Sequence, residues 1–289
     1  MKIIKYFFQF LIVFLLFIIF KILGYKLASK FGSFLGKKFG KLIRSKKIIF
    51  QNLSYINKWS QKITKNENNI ADDVYSNYGK ILSEYVFLDK FRNGNLKKNV
   101  TVIGGNYLEQ IRSKNKSVVF VSGHFNNFEL MAMFIDDCGI NLSAIYRPLN
   151  NIFLNKIMEN IRKKYICKNQ IKKGKAGSRE IINYLKKNFS IALMIDQRVS
   201  EGIKSDFFGE PAFTTTIPAQ IVKKFDCEIV PVHISRYDEF KFLLTVEKPI
   251  KFEEKLSIEQ ITLQLNKILE KMVIKDPSQW ILTHNRWKK

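Results

Sequence analysis

The chain has 289 residues, of which 46% are hydrophobic and 26% charged, a composition typical of one large globular domain with a real core. Its formal net charge of +24 indicates an anionic partner, which could be a membrane surface, nucleic acid or an acidic protein. Three widely spaced cysteines exclude a disulfide framework and a zinc motif, so we expect no metal, no cofactor and a reducing compartment.

The N-terminal segment predicts a membrane anchor over residues 1–24. Every residue of 7–20 except Gln9 is strongly apolar, and with its apolar neighbours the segment approaches the roughly 20 residues that span a bilayer. A signal peptide is the alternative, because Lys2 and Lys5 precede the apolar run. Lysines rather than a small-residue cleavage site follow it, which favours an uncleaved anchor.

Basic residues follow this anchor. The first acidic residue is Glu67, and the 66 residues before it carry 14 Lys or Arg. By the positive-inside tendency, this asymmetry predicts that the globular part is cytoplasmic. Each cation near an anionic leaflet contributes about 1 kcal/mol of attraction. A generic lysine-rich solvated face is the alternative, and no recognition motif supports a nucleic-acid partner.

The chain after the anchor divides into two parts. Residues 25–95 form a basic segment with amphipathic helices. Two such helices are predicted, at 22–47, which overlaps the end of the anchor, and at 70–92, and the first lies at the membrane interface or packs on the domain. Residues 96–289 alternate between strands and helices. We expect strands at 117–122, 142–147, 190–195, 228–235 and 242–248. We expect helices at 127–137, 151–165, 177–188, 217–225 and 257–274. This pattern predicts an α/β fold with a mainly parallel sheet flanked by helices.

The first candidate site follows the strand 117–122, where His124 and Glu129 are separated by four residues. The two side chains can meet only if His124 lies in the loop and Glu129 in the first turn of the next helix. Asn126 is the predicted N-cap of that helix, with Glu129 as its capping-box partner. A histidine oriented by a carboxylate can act as a general base in acyl transfer to a hydroxyl. The alternative is a helix cap beside a structural loop histidine.

Polar residues also follow two other predicted strands, where α/β folds build their sites. Arg147 ends one strand and could bind a phosphate or carboxylate through its planar guanidinium, or form a structural ion pair. The triplet Asp196, Gln197 and Arg198 follows the apolar strand 190–195, and its alternative is an ordinary turn.

The other two histidines are predicted to be structural. His233 lies inside an apolar strand, and His284 lies in a C-terminal segment of aromatic residues. Core or lid packing is the expected role of that segment.

Together these features resemble the lysophospholipid acyltransferase superfamily, and more narrowly the late (lauroyl/myristoyl) acyltransferases of bacterial lipid A biosynthesis. The matching elements cover almost the whole chain in the family's order. They are the anchor, Asn52-Leu53, His124–Glu129, Tyr146-Arg147-Pro148, Asp196-Gln197, Phe207-Phe208-Gly209-Glu210-Pro211-Ala212, Pro218-Ala219 and the segment from Trp280 to Trp287. Ile217 departs from the glycine expected before Pro218. The Pro-Glu-Gly-Thr-Arg element of glycerol-phosphate acyltransferases is absent, which disfavours that acceptor.

The resemblance implies acyl transfer from an acyl carrier protein thioester to a hydroxyl of a Kdo-bearing lipid A precursor. His124 would be the general base and Glu129 the carboxylate that fixes its tautomer. Backbone amides around Gly123 or a basic side chain would stabilise the oxyanion. The implied substrate-binding residues are Arg147, Asp196, Gln197 and Arg198. The implied setting is the cytoplasmic face of the bacterial inner membrane, with a single-pass anchor and anionic lipids as partners.

Three alternatives stay open at this point. The acceptor could be another glycolipid or phospholipid, and coenzyme A could replace the carrier protein as donor. The chain could instead be a membrane-tethered binding protein without activity. Thioester hydrolysis, with water as the acceptor, would release free fatty acid without an added lipid.

Overall fold

The computed structural model describes residues 2–61, 63 and 65–288, and nine strands lie within them. In chain order the strands are β1 (Val100–Ile103), β2 (Val118–Ser122), β3 (Leu142–Tyr146), β4 (Asn169–Lys172), β5 (Ser190–Met194), β6 (Ile203–Phe207), β7 (Glu210–Thr214), β8 (Glu228–Asp238) and β9 (Lys241–Val246). Seven form one sheet in the order β1-β9-β8-β2-β5-β3-β4, and β6 pairs with β7 in a separate hairpin. Every neighbouring pair of the large sheet is parallel except β8 with β9.

Helices cover this sheet and extend the chain at its N-terminus. They are α1 (Lys2–Ile43), α2 (Lys46–Ser60), α3 (Glu67–Glu84), α4 (Leu88–Asn93), α5 (Gly105–Lys114), α6 (Glu129–Asp137), α7 (Ile152–Ile161), α8 (Lys175–Leu185), α9 (Ile217–Phe225) and α10 (Ile258–Val273). The predicted α/β class, with a mainly parallel sheet between helices, is confirmed. The central strand β2 is buried along its whole length, as expected for a strand covered on both faces.

The five predicted strands are present, and four others were missed. β1 and β4 have four residues each and are polar or half-exposed, so they lack the apolar run that marks a buried strand. The hairpin turns at Phe208 and Gly209, which both have positive φ angles. Its strands alternate exposed and buried positions over only five residues each.

The N-terminal helix α1 has two unlike halves on either side of Gly24, whose φ of 73° and ψ of 165° break the helix. Before the break the side chains are apolar and mostly exposed. Within the described residues, α1 is the one helix long and apolar enough to cross a membrane, and only 11% of its most apolar window is buried. A buried core helix is therefore excluded, and a membrane anchor is supported. The proposed divisions at residues 24 and 95 stay predictions.

The second half of α1 packs closely on α3. Gly32 and Gly79 lie at the crossing, where a Cβ on Gly79 would overlap the Gly32 carbonyl oxygen. Gly36 and Gly40 likewise lie close to Tyr75 of α3, so these glycines of α1 serve helix–helix packing. Beyond the crossing, the predicted helix 70–92 consists of α3, a 3₁₀ turn over Tyr85–Phe87 and α4.

Candidate active site

The register of the sheet places His124 beside Asp196. β2 and β5 are parallel neighbours, and Ser122 pairs with Met194 at their carboxyl ends. Two residues beyond that pair, the chain reaches His124 on one strand and Asp196 on the next. The sequence brings these residues together because parallel strands end at the same edge of the sheet.

Asp196 holds His124 through two hydrogen bonds. Its Oδ1 lies 2.8 Å from His124 Nδ1, and its Oδ2 accepts from the His124 backbone N–H at 2.7 Å. Trp280 Nε1 also donates to Oδ2, at 2.9 Å, and the Asp196 side chain is fully buried. A buried carboxylate at Nδ1 favours the tautomer with its proton on that nitrogen, which leaves the Nε2 lone pair free to accept a proton.

This geometry corrects the expected contact between His124 and Glu129. Glu129 Oε1 instead accepts hydrogen bonds from Arg162 Nε at 2.9 Å, Arg162 Nη2 at 2.5 Å and Tyr85 Oη at 2.8 Å. Glu129 is therefore a partner of Arg162. Asp196 occupies the position beside His124 that was predicted for Glu129. A catalytic role for Glu129 stays a prediction.

The local backbone explains why that expectation was wrong. Asn126 has a φ of 41° and is not a helix cap; its Oδ1 accepts from the Asn127 backbone N–H. The helix α6 consequently begins at Glu129, without a side-chain cap. Glu129 thus starts the helix instead of standing at its third position.

The two charges change each other's pKa. Burial lowers the pKa of His124, but the charge and hydrogen bond of Asp196, together with the charge of Glu129, outweigh burial and raise it above the ordinary 6.5. Burial also raises the pKa of Asp196, but His124 and the donors around the carboxylate bring it below its ordinary 3.8. Asp196 is therefore ionised at neutral pH and strengthens His124 as a base.

A cavity of about 570 Å³ opens beside His124, and Glu129 and Arg162 also line it. Its inner wall is apolar and includes Phe120, Met131, Ile135, Ile145, Leu193 and Met194. Three further cations line it: Arg44, Arg147 and Lys173. An apolar cavity with a base at its wall and cations around it can hold a hydrocarbon chain and an anionic group together.

The structure separates the residues that were predicted to bind substrate. Arg147 and Gln197 line the cavity, and the Arg147 side chain is exposed there. The Asp196 side chain is buried and hydrogen-bonded to His124 and Trp280, and it is not part of the cavity wall. Its predicted substrate-binding role stays a prediction.

Arg198 lies apart from Arg147. Its Nε donates to the Lys288 backbone carbonyl at 2.9 Å, and its guanidinium lies 5.1 Å from the centre of the Phe213 ring. The cavity wall therefore does not include Arg198.

Sequence reasoning missed Arg162, Lys173 and Trp280. Arg162 begins a π-helical turn, Arg162–Ile166, inside a lysine-rich stretch that looks like a solvated helix face, and nothing in the pattern marks it. Lys173 follows β4, so recognition of that strand would have placed it at the carboxyl edge beside Arg147. Trp280 was expected only to pack, but its indole N–H binds Asp196.

The structural roles predicted for the other two histidines agree with their contacts. His284 lines the cavity, but its Nε2 accepts from the Arg198 backbone N–H at 3.0 Å, and burial lowers its pKa to about 4. His233 is buried, with its ring centre 4.7 Å from that of Phe125. Of the three histidines, all within the described residues, His124 is the one that lines the cavity and is hydrogen-bonded to a buried carboxylate.

Known proteins share this sequence pattern. The model of one protein family, bacterial lipid A biosynthesis acyltransferase, matches residues 1–289. The chain is 24% identical over 190 residues to lipid A biosynthesis acyltransferase 2 of Shigella flexneri, which covers 64% of this chain and 60% of the relative. It is also 24% identical over 200 residues to lipid A biosynthesis palmitoleoyltransferase of Escherichia coli K12, covering 67% of this chain and 63% of that relative. The chain thus spans about three fifths of the length of these relatives.

Proposed function

The chain belongs to the bacterial lipid A biosynthesis acyltransferase family, and on that premise we propose that it transfers a fatty acyl group from a thioester to a hydroxyl of a lipid A precursor. One observation carries this proposal. His124 is held by a buried carboxylate at the wall of an apolar cavity, and its Nε2 has no hydrogen-bond partner among the residues that the structure describes. Such a base needs no enzyme nucleophile, because the acceptor hydroxyl itself attacks the thioester.

The proposed reaction balances with these groups alone. His124 Nε2 takes the hydroxyl proton while the hydroxyl oxygen bonds to the thioester carbonyl carbon. The carbon–sulfur bond of the resulting tetrahedral intermediate then breaks, and the proton passes from Nε2 to the leaving thiolate. Asp196 stabilises the imidazolium that forms in between, as a buried carboxylate does in hydrolase triads.

Arg162 is the proposed partner of the oxyanion. Its guanidinium lines the same cavity as His124, and Glu129 engages only its Nε and Nη2. Nη1 is not engaged by Glu129, and we propose that it faces a developing negative charge in the cavity. In this proposal Glu129 positions Arg162, which gives a function to both members of the pair.

The finer identity of the substrates also belongs to this proposal. We propose an acyl carrier protein as donor and a Kdo-bearing lipid A precursor as acceptor. The net charge of +24 favours both acidic partners, and the cavity-lining Arg147 and Lys173 favour the acceptor's anionic groups. The apolar half of α1 would anchor the protein to the bacterial inner membrane with the catalytic domain on the cytoplasmic face, as the lysines after the anchor favour.

The test is an acyl-transfer assay in detergent micelles. It compares the wild type with His124→Ala, using acyl carrier protein loaded with several chain lengths and a Kdo-bearing lipid A precursor. His233→Phe is the matched control, because it replaces a histidine outside the cavity and keeps a ring against Phe125. We expect product from the wild type and the control and none from His124→Ala.

Other results would change the proposal in defined ways. Equal product from His124→Ala and the wild type would remove His124 as the base. Free fatty acid formed without lipid acceptor would indicate thioester hydrolysis instead. Transfer from acyl coenzyme A but not from the carrier protein would replace the donor and leave the mechanism intact.

A further inference from the structure

A short segment at the mouth of the cavity exposes apolar side chains. We call residues 147–153, which connect β3 to the first turn of α7, the rim segment. Its residues 147–150 line the cavity, so the segment forms part of the opening. Leu149 is 40% exposed and Ile152 is 58% exposed. Water is an unfavourable neighbour for two large apolar side chains at a cavity mouth.

The rim segment also contacts the apolar half of α1. Asn151 Nδ2 donates to the Tyr6 backbone carbonyl at 2.8 Å. The Phe153 ring centre lies 5.6 Å from that of Phe7 and 5.9 Å from that of Phe10. The neighbouring exposed side chains of α1 include Ile3, Ile4, Phe8, Leu11, Ile12 and Leu15. The rim segment is therefore attached to the membrane-anchoring surface.

Cations flank the apolar end of α7. Lys156 on the helix, and Lys163 and Lys164 on the following π-helical turn, are exposed. None of these three lysines forms an ion pair with another described residue. Apolar side chains at one end of an amphipathic helix and free lysines beyond them are typical of an element that lies in the interface of an anionic bilayer.

The contacts of α1 set the depth of the rim segment. The globular part touches α1 near Tyr6, through Asn151, and again at Lys21, whose Nζ donates to the Val86 backbone carbonyl at 3.1 Å. Fifteen residues separate Tyr6 from Lys21, which is about 22 Å along a helix. The globular part therefore follows α1 along most of its apolar half. The rim segment therefore lies at the depth of residues 6–10 of α1. A globular part on the cytoplasmic face requires this half of α1 to enter the cytoplasmic leaflet beside the rim segment and not to cross the bilayer.

We propose that the rim segment inserts into the bilayer together with α1, so that the cavity opens sideways into the lipid. The occupant of this surface is an anionic bilayer, because the segment is continuous with the anchor and is flanked by unpaired lysines. Insertion itself is independent of the reaction. Its consequence, that the acceptor enters the cavity from the membrane without crossing water, rests on the proposed function.

The depth of the rim segment can be measured directly in the full-length protein. Ile152→Trp and Ile103→Trp are reconstituted into vesicles of phosphatidylethanolamine and phosphatidylglycerol that carry brominated acyl chains. Ile103 is the matched control, since it is 52% exposed and ends β1, at the opposite edge of the sheet from β4. The fluorescence of the wild type, which has three tryptophans, is subtracted. We expect bromolipid to quench the added tryptophan at 152 and to leave that at 103 unquenched.

Two results of this measurement would overturn insertion. The first is an absence of quenching at position 152. The second is quenching of both positions alike, which would indicate that the vesicles take up the protein nonspecifically. Because the readout needs no substrate, a wild type without transferase activity leaves this test valid and counts only against the proposed function.

A second experiment tests the route of the acceptor and the competing occupant, a second copy of the chain. We expect Ile152→Asp to reduce turnover of acceptor embedded in vesicles about tenfold more than turnover in detergent micelles, while Ile103→Asp changes the two equally. Equal losses for Ile152→Asp in vesicles and micelles would overturn lateral entry. If Ile152→Asp converts a detergent-solubilised dimer into a monomer, a second copy covers the surface and the proposal fails.

Discussion

Two carboxylates flank the loop that carries His124, and they differ in what they touch. Asp196 accepts hydrogen bonds from the ring and backbone of His124 and from Trp280. Glu129 accepts from Arg162 and Tyr85. Both are buried, and both raise the pKa of His124. The comparison shows that one carboxylate is bonded directly to His124, whereas the other holds a cation that lines the same cavity.

The two carboxylates also differ in how the fold fixes them. Asp196 follows β5, so the parallel register with β2 sets its distance from His124. Glu129 begins α6, and its hydrogen bonds depend on a π-helical turn and a 3₁₀ turn that come from distant parts of the chain. If the two carboxylates have different roles, their substitutions should change kcat and its pH dependence differently.

Asp196→Asn should have the largest effect. An asparagine amide cannot accept from the His124 ring, its backbone N–H and the Trp280 indole as a carboxylate does, so Nδ1 loses its acceptor and the wrong tautomer becomes favoured. We expect kcat to fall roughly 10²–10⁴-fold, by analogy with the aspartate of hydrolase triads, with KM little changed. Steady-state kinetics checks this, and thermal unfolding of the variant serves as the control. A loss below fivefold in a folded variant would contradict the assigned role.

Arg162→Gln should have the second-largest effect on kcat. It removes the cation proposed for the oxyanion but leaves the His124–Asp196 pair in place. We expect kcat to fall roughly 10²–10³-fold, as when one oxyanion-hole donor is removed. Arg112→Gln is the matched control, since Arg112 lies on α5, outside the cavity wall. An effect confined to KM would show that Arg162 binds the ground state and does not stabilise the transition state.

Glu129→Gln should have a smaller effect, and that effect should depend on Arg162. The glutamine keeps one carbonyl acceptor for the guanidinium, so we expect a loss of about 10–100-fold, by the usual size of lost positioning interactions. A double-mutant cycle measures the dependence. In the Glu129→Gln and Arg162→Gln double variant, the loss of activation free energy should be well below the sum of the two single losses. In the Asp196→Asn and Glu129→Gln double variant, it should be closer to the sum. If the losses of Glu129→Gln and Arg162→Gln add fully, Glu129 does not act by positioning Arg162.

The sequence was sufficient for the fold class and for placing His124, Asp196 and Arg147 at one edge of the sheet. Long apolar runs identified the central strands, and polar residues at their ends identified His124, Asp196 and Arg147. It was insufficient for the pairing of the carboxylates. His124 and Glu129 are close in the chain, but the left-handed backbone of Asn126 delays the helix. Asparagine favours both an N-cap and a positive φ, so the residue type alone did not distinguish the two conformations. The nearer carboxylate in space is 72 residues away in the chain and requires the strand order.

The pH dependence of kcat/KM should distinguish the two carboxylates. The expected effects are the smallest of those predicted here, but they report on His124 most specifically. The base works when neutral, so the rate falls as pH drops through the pKa of His124, which lies above 6.5 in the wild type. Asp196→Asn removes the charge that raises the pKa of His124 most. Burial then lowers this pKa, so the fall of kcat/KM at acid pH moves to lower pH. Glu129→Gln should also lower the pKa of His124, but by less. Arg162→Gln should raise this pKa, because the Arg162 charge lowers it in the wild type. Shifts of the same sign for Glu129→Gln and Arg162→Gln would show that the pH profile reports a group other than His124.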